Sequence, residues 1–307
     1  DGIALIDTAE VIEARRLGWT KRILLLEGFF DAEDIPVLEK LNAEPVIRNE
    51  HLIDLLAASG VKHLRCHLKV NTGMNRLGFH ASEIPAMKAR LAGIPGVEYM
   101  GVVTHFANGE RSCTADGPAT VARQLARMGG LLETEKGVCM AATTAMLFHP
   151  EVSGDGCRAG IALYGVSPDS MVSEKELGIV PAQTLRARII AIQHLQPGDA
   201  VGYGSKWVAE RPSRIGVIAC GYADGYPRAM PNGSPVWVNG RIAPTTGAVS
   251  MDMMEVDLTD LPEVQEGDWV ELWGQHLPVN ELAARACTIG YELICKIMPR
   301  VPVRVEG

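Results

Sequence analysis

Residues 22–70 have the sequence RILLLEGFFDAEDIPVLEKLNAEPVIRNEHLIDLLAASGVKHLRCHLKV. Three apolar runs in this stretch, at residues 22–26, 45–48 and 63–70, are rich in Ile, Leu and Val, which is typical of short buried strands. Between them, residues 32–41 and 50–58 carry apolar side chains at helical spacing. Strands and helices that alternate through short loops predict a parallel sheet covered by helices.

The same alternation extends over the first half of the chain. It predicts strands at residues 3–6, 22–26, 45–48, 63–70, 98–105, 138–141 and 161–164, and helices at residues 8–17, 32–41, 50–58, 82–91, 118–133 and 143–148. The closed parallel arrangement that fits such a chain is the TIM-type α/β barrel, which has eight strands. Seven strands are predicted, and the sequence opens directly on an apolar run. We therefore expect the first barrel strand to be absent from this sequence.

After about residue 178 the pattern changes to short β-runs separated by Pro-Gly, Asn-Gly and Glu-Gly turns. The predicted strands are at residues 183–192, 200–203, 214–219, 235–238, 253–258 and 269–273, and helical segments follow at 279–286 and 290–298. We therefore expect two domains. Residues 1–178 form an incomplete α/β barrel, and residues 179–307 form a mostly β C-terminal domain.

The composition excludes several classes of protein. Apolar residues are 47% and charged residues 21% of the chain, as in ordinary globular proteins. The 29 Lys and Arg against 37 Asp and Glu give a net charge of −8, which argues against nucleic-acid or anionic-membrane binding. No apolar stretch reaches the roughly 18 residues of a membrane-spanning helix. Seven cysteines without a C-x-x-C pair predict reduced thiols in a cytoplasmic protein, and no metal site.

Tyrosines beside glycines are the first indication of a functional site. Five of the six tyrosines adjoin a glycine: Tyr164, Tyr203, Tyr222, Tyr226 and Tyr291. Glycine permits tight turns, so a neighbouring phenol can stand at a loop tip and reach a ligand. The alternative is that tyrosine favours strands and glycine favours turns, which makes such pairs common by chance.

Two arginines and a histidine give a second indication. Arg76 follows the predicted strand at residues 63–70, His105 ends the next strand, and Arg158 precedes the apolar run at 161–164. Active sites of parallel barrels lie at the carboxyl ends of their strands. The sequence lacks H-E-x-x-H, G-x-S-x-G and Walker motifs, so zinc-protease, hydrolase and NTPase functions lose their main support.

Eight segments together resemble the bacterial alanine racemases, in the same order and over essentially the whole chain. They are K-V-N-T-G-M-N-R-L-G (69–78), T-H-F (104–106), R-A-G-I (158–161), L-Y-G (163–165), V-G-Y-G-S (201–205), G-Y-A-D-G-Y (221–226), V-S-M-D-M (249–253) and I-G-Y-E-L (289–293). The resemblance implies a cytoplasmic isomerase that interconverts L- and D-alanine with pyridoxal 5'-phosphate as cofactor. It also implies that the D-alanine is a peptidoglycan precursor. It further implies a homodimer whose active sites are shared between subunits.

The resemblance carries residue roles with it. Tyr203 corresponds to the catalytic base for one face of the substrate, supplied to the partner subunit's site. Arg158 corresponds to the residue that binds the cofactor's pyridine nitrogen, with His105 behind it. Arg76 corresponds to the residue near the phenolic oxygen and the substrate carboxylate. Lys69, which is carbamylated in many family members, orients it.

Further residues correspond to the family's substrate and phosphate sites. The substrate end is implied to contain Tyr222 and Met251, the latter through its backbone N–H, with Asp252 in support. The phosphate set is implied to contain Thr143, Gly160, Ile161 and Tyr291.

These residue types suit racemisation. Pyridoxal phosphate acidifies the Cα proton, and the proton leaves one face and returns to the other, so two acid/base groups flank the carbon. An arginine at the pyridine nitrogen does not give up its proton, which limits side reactions such as transamination.

The sequence also departs from the family pattern. The family's cofactor-binding lysine lies in a segment resembling V-K-A-N-A-Y-G-H-G, and none of the nine lysines stands in that context. The second base and a phosphate-binding tyrosine belong to the same segment. We therefore expect a polypeptide of these 307 residues alone to be inactive. Ala142 stands where the family usually has Asn, and Ala159 where it usually has Pro.

Alternatives remain open from the sequence. The chain could be a pyridoxal-phosphate-binding paralogue without racemase activity, or an amino-acid racemase of broader specificity that includes serine. A related decarboxylase of basic amino acids is disfavoured by the motifs. The sequence leaves open whether the role is biosynthetic or catabolic.

Overall fold

A computed structural model describes residues 1–111, 117, 119–152 and 154–306. The chain forms two compact units, Asp1–Ala159 and Gly160–Gly307. The first unit alternates strands and helices along the chain. They are β1 (Gly2–Leu5), α1 (Thr8–Arg16), β2 (Arg22–Leu25), α2 (Asp34–Lys40), β3 (Glu44–Ile47), α3 (Glu50–Ser59), β4 (Leu64–Lys69), α4 (Ile84–Ala92), β5 (Val97–Val103), α5 (Val121–Met128), α6 (Leu131–Thr134), β6 (Cys139–Ala142), α7 (Thr143–Phe148) and β7 (Gly156–Arg158).

The strands of the first unit form one sheet in sequence order from β1 to β7, and all neighbours are parallel. This is the parallel barrel domain that the sequence predicts. Every residue of β3 is buried, whereas the end strand β1 alternates exposed and half-buried residues. Inner strands are covered on both faces, which explains their continuous apolar runs.

Local sequence sets where the helices of this unit begin. Asp7 accepts a hydrogen bond from the backbone of α1, and the Glu10 side chain accepts one back from the Asp7 N–H. The Asn49 side chain accepts from Leu52 N–H at the start of α3. Both residues are good caps because their side chains replace the missing intrahelical acceptors. The helix predicted at 118–133 is interrupted at Gly129, which has φ +53°. Residue 118, the first residue of that prediction, lies outside the described residues.

The seventh strand lies elsewhere than the sequence predicts. Residues 161–164 were expected to be a strand, but Gly160–Tyr164 is a 3₁₀ helix. The strand that follows β6 is β7, at Gly156–Arg158. Gly160 has φ +40°, which turns the chain away from extended geometry, and Ile161 is buried in the core of the second unit. The apolar run therefore marks burial rather than a strand.

The second unit contains three 3₁₀ helices, at Gly160–Tyr164, Tyr203–Ser205 and Tyr222–Asp224, within its described residues. Its other elements are α8 (Glu174–Leu177), β8 (Leu185–Leu195), β9 (Ala200–Val201), β10 (Trp207–Val208), β11 (Ser213–Ile218), β12 (Pro235–Val238), β13 (Arg241–Thr246), β14 (Met254–Asp257), β15 (Trp269–Trp273), α9 (Val279–Arg285) and α10 (Gly290–Cys295).

Six of these strands close into an antiparallel barrel in the order β11-β14-β13-β12-β15-β8, while β9 and β10 pair separately. Its core includes Ile189, Val256 and Trp273. The second unit is thus mostly β, as the sequence predicts. Strands β10 and β13 are additional to those predicted.

The structure groups residues 160–178 with the second unit, although the sequence pattern assigned them to the first domain. The 3₁₀ helix at Gly160–Tyr164 contributes buried Ile161 to that second core. Among the described residues, no helix combines the length and apolarity that crossing a membrane requires.

Candidate active site

The carboxyl ends of three strands of the first unit carry the residues of a candidate site. Lys69 is the last residue of β4, Arg158 is the last residue of β7, and His105 lies two residues beyond β5. Because parallel strands end at the same edge of a sheet, these three side chains lie at one rim.

Arg158 is held by several acceptors at this rim. Its Nη1 donates to the carbonyl oxygen of Cys139 at 3.2 Å and to Cys139 Sγ at 2.9 Å. Its Nη2 donates to the carbonyl oxygens of Thr104 at 2.8 Å and Met140 at 3.1 Å, and lies 3.4 Å from His105 Nδ1. The guanidinium plane is therefore fixed by the ends of β5 and β6, because its donors form a rigid fork.

Burial and neighbouring cations alter the basicity of this cluster. Burial, and then the charges of Arg158 and Arg76, lower the pKa of Lys69 to about 8. Burial, and then the charges of Arg158, Lys69 and Arg76, lower the pKa of His105 to about 4. His105 is therefore neutral at physiological pH, and its Nδ1 is free to accept from Arg158. The cluster as a whole attracts an anion.

A loop folded over Lys69 presents Arg76. Asn71 N–H donates to the Phe79 carbonyl, and Phe79 N–H donates to the Lys69 carbonyl, which closes the loop. Gly78 lies so close to Lys69 that a Cβ there would be 2.7 Å from the Lys69 oxygen. A small cavity opens under this loop, lined by Lys69, Val70, Asn71, Thr72, Met74, Arg76, Leu77 and His105.

Thr143 lies at the first position of α7 and is buried. Its hydroxyl donates to the carbonyl oxygen of Ala159, so the loop after β7 is tied to the start of α7. Ala142, the residue before it, has no side-chain polar group with which to cap the helix.

The remaining predicted site residues belong to the second unit. Tyr203 stands in a tight turn between Gly202 and Gly204, which have φ of +67° and +74°, and its side chain is 71% exposed. A residue with a Cβ would be strained at those two glycine positions. Gly160 and Ile161 begin the 3₁₀ helix at Gly160–Tyr164, and Tyr291 is the second residue of α10.

Tyr222, Met251 and Asp252 lie on two adjoining loops of the second unit. Tyr222 N–H donates to the Ser250 carbonyl at 3.1 Å, and Ala223 N–H donates to the Met251 carbonyl at 2.9 Å. The Tyr222 side chain is 40% exposed and the Met251 side chain 53% exposed. The backbone of this pair of loops is therefore fixed while the tips of the side chains are available.

Some contacts of the site have no signal in the sequence. The sequence indicates only that Cys139 is a reduced thiol, whereas in the structure its Sγ accepts a hydrogen bond from Arg158. The hydroxyls of Thr72 and Thr104 are 2.9 Å apart, and Thr104 Oγ1 donates to the Val70 carbonyl at 2.8 Å, which joins the ends of β4 and β5. The one indication in the sequence is that Thr104 stands near the end of a predicted strand. Within the described residues, no group of three or more His, Cys, Asp or Glu could hold a metal ion.

A parallel barrel domain with a cationic rim, followed along the chain by an antiparallel β domain, is typical of a two-domain barrel enzyme, and the charge of the rim suits an anionic group. The family model described as alanine racemase, N-terminal domain, matches residues 1–168, and the model for the C-terminal domain matches residues 182–305. The chain therefore belongs to the alanine racemase family.

Individual relatives agree with this family. An alanine racemase of Burkholderia mallei (strain SAVP1) is 43% identical over 100% of this chain and 85% of its own length. One from Janthinobacterium sp. (strain Marseille) is 45% identical over 99% of this chain and 84% of its own. The crystal structure of the biosynthetic alanine racemase from Pseudomonas aeruginosa superposes with a TM-score of 0.94, at 43% identity over 100% of this chain and 85% of its own.

Proposed function

We propose that this protein interconverts L- and D-alanine. The observation that carries the proposal is the fixed Arg158 guanidinium beside Lys69, Arg76 and His105, in a chain that resembles alanine racemases over its full length. The test is to express the protein from its natural gene, supply pyridoxal phosphate and L-alanine, and measure D-alanine by chiral chromatography. The same assay with L-serine in place of L-alanine tests the alternative of broader specificity. Failure to form D-alanine above a no-enzyme control would contradict the proposal.

Pyridoxal phosphate fits the donor set of the first unit. The rim is cationic, which suits a group with an anionic oxygen. Within this unit, Arg158 would hold the pyridine nitrogen, Arg76 the phenolic oxygen, and the Thr143 hydroxyl part of the phosphate. When bound, the cofactor acts as an electron sink that acidifies the Cα proton of the amino acid.

Arg158 would determine the protonation of the pyridine nitrogen. Arginine side chains have hydrogen-bond donors and no acceptor, so Arg158 would donate to the ring nitrogen and leave that nitrogen an acceptor. The carbonyl oxygens of Thr104, Cys139 and Met140 and the neutral His105 hold it in place. This arrangement favours return of the proton to Cα over side reactions.

Tyr203 would move a proton on one face of the substrate. Its phenol is exposed at the tip of a glycine-flanked turn, as a base that enters another site needs to be. We further propose that the opposite face is not served by any of the nine lysines of this sequence, because none stands in the family's lysine context. Borohydride reduction of the 307-residue chain with pyridoxal phosphate, followed by peptide mapping, tests this. A stoichiometric cofactor adduct on one of those lysines would contradict it.

We propose that the protein acts as a homodimer in which each Tyr203 serves the partner's site. In a two-fold symmetric dimer, a single interface would supply each of the two active sites with the partner's Tyr203. Sedimentation that shows a fully active monomer would contradict this. We place the protein in the cytoplasm, since the six described cysteines are free thiols, as a reducing compartment keeps them.

A further inference from the structure

Three segments of the second unit meet at the guanidinium of Arg300. Its Nε donates to Asp224 Oδ1 at 2.8 Å, and its Nη2 donates to Asp252 Oδ1 at 2.7 Å. Asp224 lies two residues after Tyr222, and Asp252 directly follows Met251. One arginine from the C-terminal segment therefore joins the two loops that carry Tyr222 and Met251.

The Asp224 carboxylate serves two loops at once. Its Oδ2 accepts from Gly221 N–H at 2.9 Å and closes its own turn, while Oδ1 faces Arg300. The Asp224 carbonyl accepts from Met298 N–H at 3.2 Å. At Gly221, a Cβ would lie 2.4 Å from the Ser250 carbonyl oxygen, so the two loops are in backbone contact. The C-terminal segment thus holds the Tyr222 loop through both backbone and side chain.

The positive charge of Arg300 neutralises two carboxylates at once, which an ordinary contact does not do. The two carboxylates bind different nitrogens of one guanidinium, so removal of its charge leaves two negative groups facing each other across the joint. Their repulsion would loosen the contact between the Tyr222 loop and the Met251 loop, which the hydrogen bonds from Tyr222 N–H to the Ser250 carbonyl and from Ala223 N–H to the Met251 carbonyl also hold. A lysine would restore the charge but not the planar fork that reaches both carboxylates at once.

We propose that Arg300 is a positioning residue that sets the spacing between Tyr222 and Met251. Through this spacing it determines how tightly the site binds the substrate. The inference rests on the proposed function, because that function places Tyr222 and Met251 at the substrate. Arg300 itself touches neither reacting atoms nor cofactor. It acts through Asp224 and Asp252 on the loops that carry the two contact residues.

The test compares three variants in the protein expressed from its natural gene. Arg300→Gln removes the charge and the fork, and Arg300→Lys keeps the charge. Arg211→Gln is the matched control, because Arg211 forms a similarly exposed ion pair with Asp260 at 2.6 Å in the same unit. Hydrogen exchange of residues 221–225 and 250–253 measures how readily the backbone hydrogen bonds of the two loops open, without any need for activity. Racemase kinetics with L- and D-alanine measure its consequence.

For Arg300→Gln we expect faster exchange in both loops and a KM for alanine raised about three- to tenfold, the scale of a partly exposed charged pair, with kcat within about twofold. Arg300→Lys should fall between wild type and Arg300→Gln, and Arg211→Gln should match wild type. Unchanged exchange in Arg300→Gln would overturn the inference. So would a fall in kcat and melting temperature at constant KM, which indicates a merely structural role. Wild-type protein without racemase activity would overturn the proposed function instead, and exchange alone would then decide the role of Arg300.

Discussion

Lys69 is the residue whose chemistry depends most on its surroundings. Its pKa falls to about 8 because it is buried beside Arg158 and Arg76. The neutral amine can add CO₂ and release a proton to form a carbamate, an anion that would pair with those arginines. With dissolved CO₂ held constant, we expect a ¹³C carbamate signal from labelled bicarbonate to grow as pH rises through about 8, since only the neutral amine reacts. The signal should vanish in Lys69→Gln and persist in Lys62→Gln, an exposed-lysine control. A signal that survives Lys69→Gln would contradict this assignment.

Tyr203 gives a prediction about one face of the substrate. Tyr203→Phe removes the phenolic proton carrier and leaves the ring in place. In the protein expressed from its natural gene, exchange of the Cα proton should fall about 10²- to 10⁴-fold from one alanine enantiomer and much less from the other, because a group other than Tyr203 serves the opposite face. Deuterium incorporation from D₂O, measured separately for D- and L-alanine, tests it. Tyr164→Phe, also exposed and beside a glycine, is the control. Equal and undiminished exchange from both enantiomers would refute the role.

At the scale of the elements, Glu44 at the start of β3 joins three strands. Its carboxylate pairs with Arg22 of β2 at 2.6 Å, and with Arg65 and His67 of β4 at 3.0 Å each. Burial alone would raise the pKa of Glu44. Hydrogen bonds from His67 and Arg22 and the charges of Arg22 and Arg65 outweigh it, and the pKa falls to about 2.

This lowered pKa predicts an acid-sensitive contribution to stability. The contribution is fully present above the ordinary pKa of 4.5 and is lost as pH falls toward about 2. Glu44→Gln should cost about 3 kcal/mol in free energy of unfolding at pH 7, because it removes the buried carboxylate that Arg22, Arg65 and His67 share. The variant should also flatten the decline in stability between pH 4.5 and 2. Urea unfolding across that range measures both effects. Glu50→Gln, which removes an exposed partner of Arg90, should cost under about 1 kcal/mol. A similar loss in both variants would argue against the buried network.

Element prediction from the sequence worked where a strand is buried on both faces. Residues 45–48 and 63–70 were predicted from their apolar runs, and β3 and β4 lie there. β7 has the sequence Gly-Cys-Arg and lies at an end of the sheet, where it needs no apolar run and gives no periodic signal. β13 was missed for a different reason. It contains Pro244, which pairs with Pro235 of β12, and proline ordinarily argues against a strand interior.

The sequence predicts the position of a site residue where that residue stands at the end of a predicted strand. Arg76 and His105 could be placed together, because each follows a predicted strand and parallel strands end at one rim. Arg158 precedes the run at 161–164, and its place at the rim comes from β7, which was not predicted. The contacts that hold these residues could not be predicted. The Cys139 thiol on Arg158 and the two carboxylates on Arg300 join residues far apart in sequence, and no periodicity encodes such pairs.

At the scale of the whole molecule, the last prediction concerns a polypeptide limited to these 307 residues. In its sheet, β1 and β7 are the end strands, and their residues are exposed or half-buried, whereas β3 is wholly buried. End strands of a parallel sheet offer backbone groups to other chains, so we expect low solubility. We also expect no racemase activity, because no lysine of this sequence stands in the family's cofactor-binding context.

The comparison is with a second polypeptide in which a segment resembling V-K-A-N-A-Y-G-H-G, with its strand and helix, precedes residue 1. The same segment with its lysine changed to alanine is the matched control, since it completes the sheet without supplying the amine. Soluble yield should rise with both additions, because both cover the exposed strands. D-Alanine formation should appear only with the lysine. If the 307-residue polypeptide is soluble and racemises alanine unaided, one of its own nine lysines supplies the second base, and the assignment of that base to the family's lysine segment is wrong.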